Sequence, residues 1–147
     1  MKNILVGIFL LGSVTLFAQD NRDNHERNNQ VPDNVQHSFQ RDNPNAQNPR
    51  WENKNGQWHS AYRDKDNRDV DAYYDGNGQR IDTHSHYDDN ELPDRVRIVA
   101  HKRYHSNYKT YRIDRPNSQV LFQIRLDDGR NFYYDEHGKK RHYEDRH

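Results

Sequence analysis

The sequence predicts an α+β fold of two tandem repeats, each one helix packed on a four-stranded antiparallel sheet. Three observations predict it. The phrase Val31-Pro32-Asp33-Asn34-Val35 recurs as Leu92-Pro93-Asp94-Arg95-Val96. The phrase Ala72-Tyr73-Tyr74-Asp75-Gly76-Asn77-Gly78-Gln79 recurs as Phe132-Tyr133-Tyr134-Asp135-Glu136-His137-Gly138-Lys139. Both markers keep their order at an offset of about sixty residues, which indicates a duplicated unit. Between the markers lie aromatic stretches of period two, separated by turn residues, the pattern of hairpins.

The chain of 147 residues opens with Met1-Lys2-Asn3, an apolar run over residues 4–17, and Ala18 before a polar stretch. This pattern predicts a signal peptide over 1–18, cleaved after Ala18, and a periplasmic or secreted product. The run is too short to span a bilayer and is diluted by Gly7, Gly12, Ser13 and Thr15, so no membrane insertion is expected after cleavage. The sequence contains no cysteine, which excludes lipid anchoring through a thiol, disulfides and thiolate metal sites. Residues 19–30 contain no apolar side chain and are expected to form a flexible polar arm.

The first repeat covers residues 31–89. Val31, Val35 and Phe39 stand four apart, with Pro32 suited to a first helical turn and Asp33 to its dipole, so a helix is expected over 32–42. Asn55-Gly56 joins strands over 50–54 and 57–64, because both residues tolerate positive φ. A turn over 65–68 leads to alternating Val70, Ala72 and Tyr74, and the loop Asp75-Gly76-Asn77-Gly78 returns the chain into a strand over 79–87. Alternation places Val70, Ala72, Tyr74 and Ile81 beneath the helix. It places Asp71, Tyr73, Arg80, Asp82, His84 and His86 on the opposite face.

The second repeat covers residues 90–147. Leu92, Val96, Val99 or Ala100, and Tyr104 mark its helix. A strand over 108–114 turns at Pro116-Asn117 into Val120, Phe122, Ile124 and Leu126, a strand of unbroken alternation. Asp127-Asp128-Gly129 fits a three-residue hairpin with glycine in the left-handed position. Phe132 and Tyr134 then share the buried face while Asn131 and Tyr133 point away, and residues 139–144 form a polar edge strand.

Composition narrows the function. Only 30% of residues are hydrophobic and mean hydropathy is −1.52, yet ten tyrosines in alternating patterns argue for a folded chain. Lys plus Arg and Asp plus Glu number 23 each, so there is no net basic charge to release counterions from nucleic acid. No nucleophile elbow, phosphate-cradling glycine loop or H-E-x-x-H motif is present, and the carboxylates fall on turns and exposed strands, so the chain reads as non-enzymatic and without cofactor.

The repeats and their closing Y-Y-D-x-x-G phrases resemble PepSY-like proteins with a β-lactamase-inhibitor-like tandem fold, exported bacterial proteins. The resemblance covers residues 31–144 and includes an aromatic opening the first strand, Trp51 and Tyr111. It implies sheets that combine into a surface able to grip a protein partner, and it implies no catalytic residue.

Two constellations are candidates for binding. Tyr73 and Tyr133, one per repeat and both directed away from the helices, supply contact area at low entropic cost, and Leu121 and Arg80 are expected on that face. This pattern points to an envelope or extracellular polypeptide as partner, held by an inhibitor or interaction module. Alternatively, His84 and His86 project to one face about 7 Å apart, with Asp82 and Asp71 beside them, half of a metal site. The second reading is therefore a His-rich metal-binding or stress protein. A third is a structural protein without specific ligand.

Overall fold

The computed structural model describes residues 30–144 except Ser106. The leader, the cleavage site after Ala18 and residues 19–29 of the polar arm lie outside the described residues. Helix α1 (Asp33–Asp42) is followed by β1 (Gln47–Lys54), β2 (Gln57–Arg63), β3 (Asp69–Tyr74) and β4 (Arg80–Tyr87). Helix α2 (Asp94–Tyr104) is followed by β5 (Tyr108–Asp114), β6 (Val120–Leu126), β7 (Asn131–Tyr134) and β8 (Lys140–Arg141).

The four-stranded sheet expected for each repeat is half of one sheet of eight strands in the order β1 to β8. Pairs from Thr83↔Asp114 to Tyr87↔Thr110 join β4 to β5 along most of their length. The physical reason is edge satisfaction: left apart, β4 and β5 would each expose a row of unpaired backbone groups. Side-chain periodicity says which face a residue takes and nothing about which edge it joins.

Both helices lie on the same face of this sheet. Val35 and Phe39 of α1, with Val31, bury against Trp58, Tyr62, Val70, Ala72 and Tyr74. Val96 and Ala100 of α2, with Leu92, bury against Phe122, Ile124 and Tyr134. Phe39 sits edge-on to Trp51 and Tyr62, the arrangement aromatic quadrupoles favour.

The geometry couples the two recurring phrases. Gly78 has φ +78, and a Cβ there would stand 2.7 Å from the carbonyl oxygen of Asn34; Gly138 has φ +74, and its Cβ would stand 2.8 Å from that of Arg95. Each helix start therefore rests on the glycine of its closing hairpin, at a distance only glycine allows. The aspartate that opens each turn holds it closed. Asp75 accepts from the backbone N–H groups of Asn77 and Gln79, and Asp135 from those of His137 and Lys139.

At the far end of each helix the second tyrosine of the phrase makes the tie. The Asn43 amide donates to the Tyr74 hydroxyl at 2.9 Å and accepts from Tyr62 at 2.6 Å, while the Tyr134 and Tyr104 hydroxyls meet at 2.5 Å. Burial pushes the Tyr62 phenol up to about 12 and raises those of Tyr74, Tyr104 and Tyr108 as well. An unfolded tyrosine ionises near about pH 10, so the folded chain retains protons that the unfolded chain loses. This contribution is complete below about pH 10 and disappears as pH rises through the folded-state values. The expected result is cooperative alkaline unfolding above about pH 10, with tyrosinate absorbance and loss of near-ultraviolet circular dichroism rising together. Ionisation complete at pH 10 with the folded spectrum intact would contradict it.

Three local expectations change. Strand β1 begins at Gln47 and runs through Pro49, with a register break between Gln47 and Arg50, as an edge strand permits. Residues 139–144 do not form one strand, since β8 covers only Lys140–Arg141. In β4 a bulge between the pairs Tyr73↔Asp82 and Tyr74↔Arg80 leaves Ile81 unpaired, and Ile81 is absent from the core under α1. The same bulge sets Arg80 opposite Tyr74, on the helix side, rather than beside Tyr73.

Candidate functional site

The register assembles a belt of rings on the face opposite the helices. Because Asn55-Gly56 makes a two-residue turn with φ 55 and 83, Lys54 pairs with Gln57, Trp58 turns to the helix side, and His59 falls on the other face opposite Tyr73. His59 and Tyr73 stack with centroids 4.8 Å apart, and the His59 Nε2 lies 2.7 Å from Asp71 Oδ1. Tyr73 then meets His84 at 5.3 Å, His84 meets Tyr143 at 6.1 Å, and Tyr143 stacks on Tyr133 at 4.5 Å. Five rings from four strands and the C-terminal segment thus run from β2 to β7, linking Tyr73 to Tyr133.

At the middle of the belt lies a buried polar triangle. Asp82 is 1% exposed. The Tyr143 hydroxyl donates to its Oδ2 at 2.8 Å, and His84 Nε2 lies 3.3 Å from its Oδ1 and 3.1 Å from the Tyr143 hydroxyl. The Tyr143 hydroxyl, which donates to Asp82, can accept from an N–H on His84 Nε2, a tautomer assigned from the network. Burying a carboxylate without donors is costly, so the triangle is as much a condition for Asp82 as a product of it. The Arg115 guanidinium lies over the Tyr143 ring at 4.6 Å. Beside the triangle opens a cleft of about 420 Å³ whose lining includes Gln57, Arg80, Ile81, Asp82, Arg115 and Asn117.

The sequence-predicted residues distribute unevenly over this site. Tyr73, Tyr133 and His84 belong to the belt, and Asp82 to the triangle at its middle. His86 lies apart from it, edge-on to Tyr111 at 5.7 Å. Among the described residues no group of three or more His, Asp or Glu side chains comes together as a metal ion requires. Arg80 is set opposite Tyr74 by the bulge and also lines the cleft beside the triangle.

Leu121, expected to be exposed, is 1% exposed. It does face away from the helices, opposite Ile113, but Tyr143 folds over both to close a third small core with Tyr133. Alternation places a side chain on a face; it does not reveal a later segment that returns to cover it.

His59, Arg115 and Tyr143 were not singled out by sequence reasoning. A signal for His59 was present, since counting outward from Asn55-Gly56 puts it on the Tyr73 face. Counting from Asp135 likewise sets Arg141 opposite Tyr133, and therefore Tyr143 on the same side. For Arg115 no local signal exists, because its position follows from the fold.

No family model matches the sequence, and no curated protein does. Solved structures do resemble it. A BLIP-like protein from Bacteroides fragilis superposes with a TM-score of 0.65 at 20% identity, covering 76% of this chain and 83% of that one. A DUF2874 family protein from Bacteroides ovatus gives 0.64 at 17% identity over 74% and 83%. A protein from Bacteroides eggerthii expected to be periplasmic gives 0.66 at 13% identity over 75% and 85%. Among the described residues no helix is long and apolar enough to cross a membrane. What this chain shares with these structures is its fold, a BLIP-like α+β arrangement with an antiparallel sheet.

Proposed function

We propose that this is an exported, non-enzymatic binding protein that holds a polypeptide against the sheet face opposite its helices, as an inhibitor or interaction module for an envelope protein. The observation that carries the reading is the belt from His59 to Tyr133, five rings laid side by side across one face. Rigid aromatic side chains held by their neighbours bind with little further loss of rotamer freedom, which is why tyrosine recurs at anchor positions. The BLIP-like neighbour and the expected periplasmic one support the protein-binding and export parts of the reading. The recurring phrases are read as the mark of an ancestral PepSY-like duplication, in which the helix-side phrase is scaffold and the opposite face does the binding.

The test uses the tagged chain without residues 1–18, cross-linked in an envelope fraction. A Tyr73→Ala/Tyr133→Ala variant should recover at least tenfold less of any partner captured by the unaltered chain, since each anchor contributes about 2 kcal/mol. Equal recovery by two equally folded proteins would remove the belt from the binding surface.

A further inference from the structure

Beyond β8 the described residues 142–144 leave the sheet, and Tyr143 lies over the face opposite the helices, 8% exposed. Four kinds of contact meet there: Ile113 and Leu121 as an apolar floor, Tyr133 stacked at 4.5 Å, the Arg115 guanidinium over the ring, and the Asp82 carboxylate on the hydroxyl. Together they read every part of a tyrosine side chain. A scaffold needing only to pin down a surface segment would do so with apolar residues, because a carboxylate this deep costs desolvation unless a donor is always supplied.

Among the described residues the backbone pairing of the covering segment is short: β8 pairs with β7 at Tyr133↔Arg141 and Tyr134↔Lys140. Beyond that pairing, Arg141 bridges to Asp135, and the Glu144 carbonyl accepts from Arg115 at 3.3 Å. Release of these residues would uncover the pocket and, beside it, the hydrogen-bonding edge of β7. A free edge next to a specificity pocket is the arrangement by which extended peptides are added to sheets.

We infer that Asp82, His84, Ile113, Arg115, Leu121 and Tyr133 form a tyrosine-binding pocket that Tyr143 occupies as an intramolecular placeholder, to be displaced by a tyrosine on an extended partner segment that adds to β7 in place of β8. The inference rests on the reading of this face as the binding surface and names the chemistry of what binds. Binding would then be gated by competition, since the partner must outcompete a ligand tethered to its own site.

The experiment compares the unaltered chain without residues 1–18 with Tyr143→Ala, which empties the pocket, and Tyr143→Phe, which keeps the ring and removes the hydroxyl. The probes are p-cresol, toluene and the hexapeptide Lys-Lys-Arg-His-Tyr-Glu, the sequence of residues 139–144. p-Cresol should raise the melting temperature of Tyr143→Ala and leave the unaltered chain unchanged, with toluene less effective. By calorimetry the hexapeptide should bind Tyr143→Ala at least tenfold more tightly than the unaltered chain, and a version with Phe for Tyr should lose about tenfold, the loss expected for one hydroxyl-to-carboxylate bond. Should Tyr143→Ala not fold, Tyr143→Phe should still bind the tyrosine peptide better than the unaltered chain does. Equal binding of the peptide to variant and unaltered chain, or equal binding of tyrosine and phenylalanine peptides, would overturn the inference. Sedimentation of the unaltered chain as a dimer that Tyr143→Ala abolishes would overturn the partner assignment in favour of a second copy. Failure here together with loss of partner capture in Tyr73→Ala/Tyr133→Ala would remove only the tyrosine pocket and leave the binding face in place.

Discussion

Replacing Gly138 with alanine should cost about 3 kcal/mol of folding stability, whereas the same change at Gly129 should cost about 1 kcal/mol. Both glycines occupy the left-handed region, at φ +74 and +86. Both therefore impose a conformational cost on any side chain, and that cost is shared. The difference lies in what the new methyl group meets. At Gly129 nothing lies within 4 Å, but at Gly138 the carbonyl oxygen of Arg95 stands 2.8 Å away. That oxygen belongs to the first turn of α2, so relief requires the helix to lift from the sheet, loosening Val96 and Ala100 from Phe122, Ile124 and Tyr134. Gly78→Ala should behave like Gly138→Ala, because its methyl would meet Asn34. Urea denaturation of the three variants measures the ordering. Equal losses at Gly129 and Gly138 would show that the helix start is not held by the hairpin glycine.

The second large effect separates two adjacent tyrosines. Tyr134→Ala should destabilise the chain by about 3–5 kcal/mol, the usual range for truncating a buried aromatic. Tyr133→Ala should cost about 1 kcal/mol, the value of one stacked ring pair on a partly exposed face. Tyr134 is 2% exposed, inside the α2 core, and its hydroxyl meets that of Tyr104 at the end of the helix. Tyr133 lies on the other face and stacks on Tyr143. Tyr134→Phe isolates the hydroxyl, with an expected loss of about 1 kcal/mol. Comparable destabilisation by Tyr133→Ala and Tyr134→Ala would mean that the face opposite the helices is core rather than a surface for binding.

These two predictions show why the paired tyrosines of the closing phrase have different meanings. The first of each pair belongs to the ring belt, and the second ties a helix end to the sheet. The phrase therefore combines a scaffold position with a surface position in consecutive residues, a consequence of strand alternation.

Much of the architecture was legible in the sequence. Val31-Pro32-Asp33-Asn34-Val35 and Leu92-Pro93-Asp94-Arg95-Val96 announce helix starts, and the observed helices begin at Asp33 and Asp94. Asn55-Gly56 and Asp127-Asp128-Gly129 specify their hairpins, and alternation assigns Tyr73 and Tyr133 to one face and Tyr74 and Tyr134 to the other. All of these are local consequences of backbone geometry, set within a few residues of where they act.

What lies beyond that range was decided only by the tertiary structure. The joining of β4 to β5 depends on two edges meeting across α2, the departure of Arg80 and Ile81 depends on a bulge, and the burial of Leu121 depends on Tyr143 returning from the chain end. The center of the candidate site belongs to this second class: Asp82, His84 and Tyr143 meet although Tyr143 lies 61 positions along the chain from Asp82. Period-two alternation specifies a face for every side chain, but bringing distant residues into contact on that face requires the whole sheet to form first.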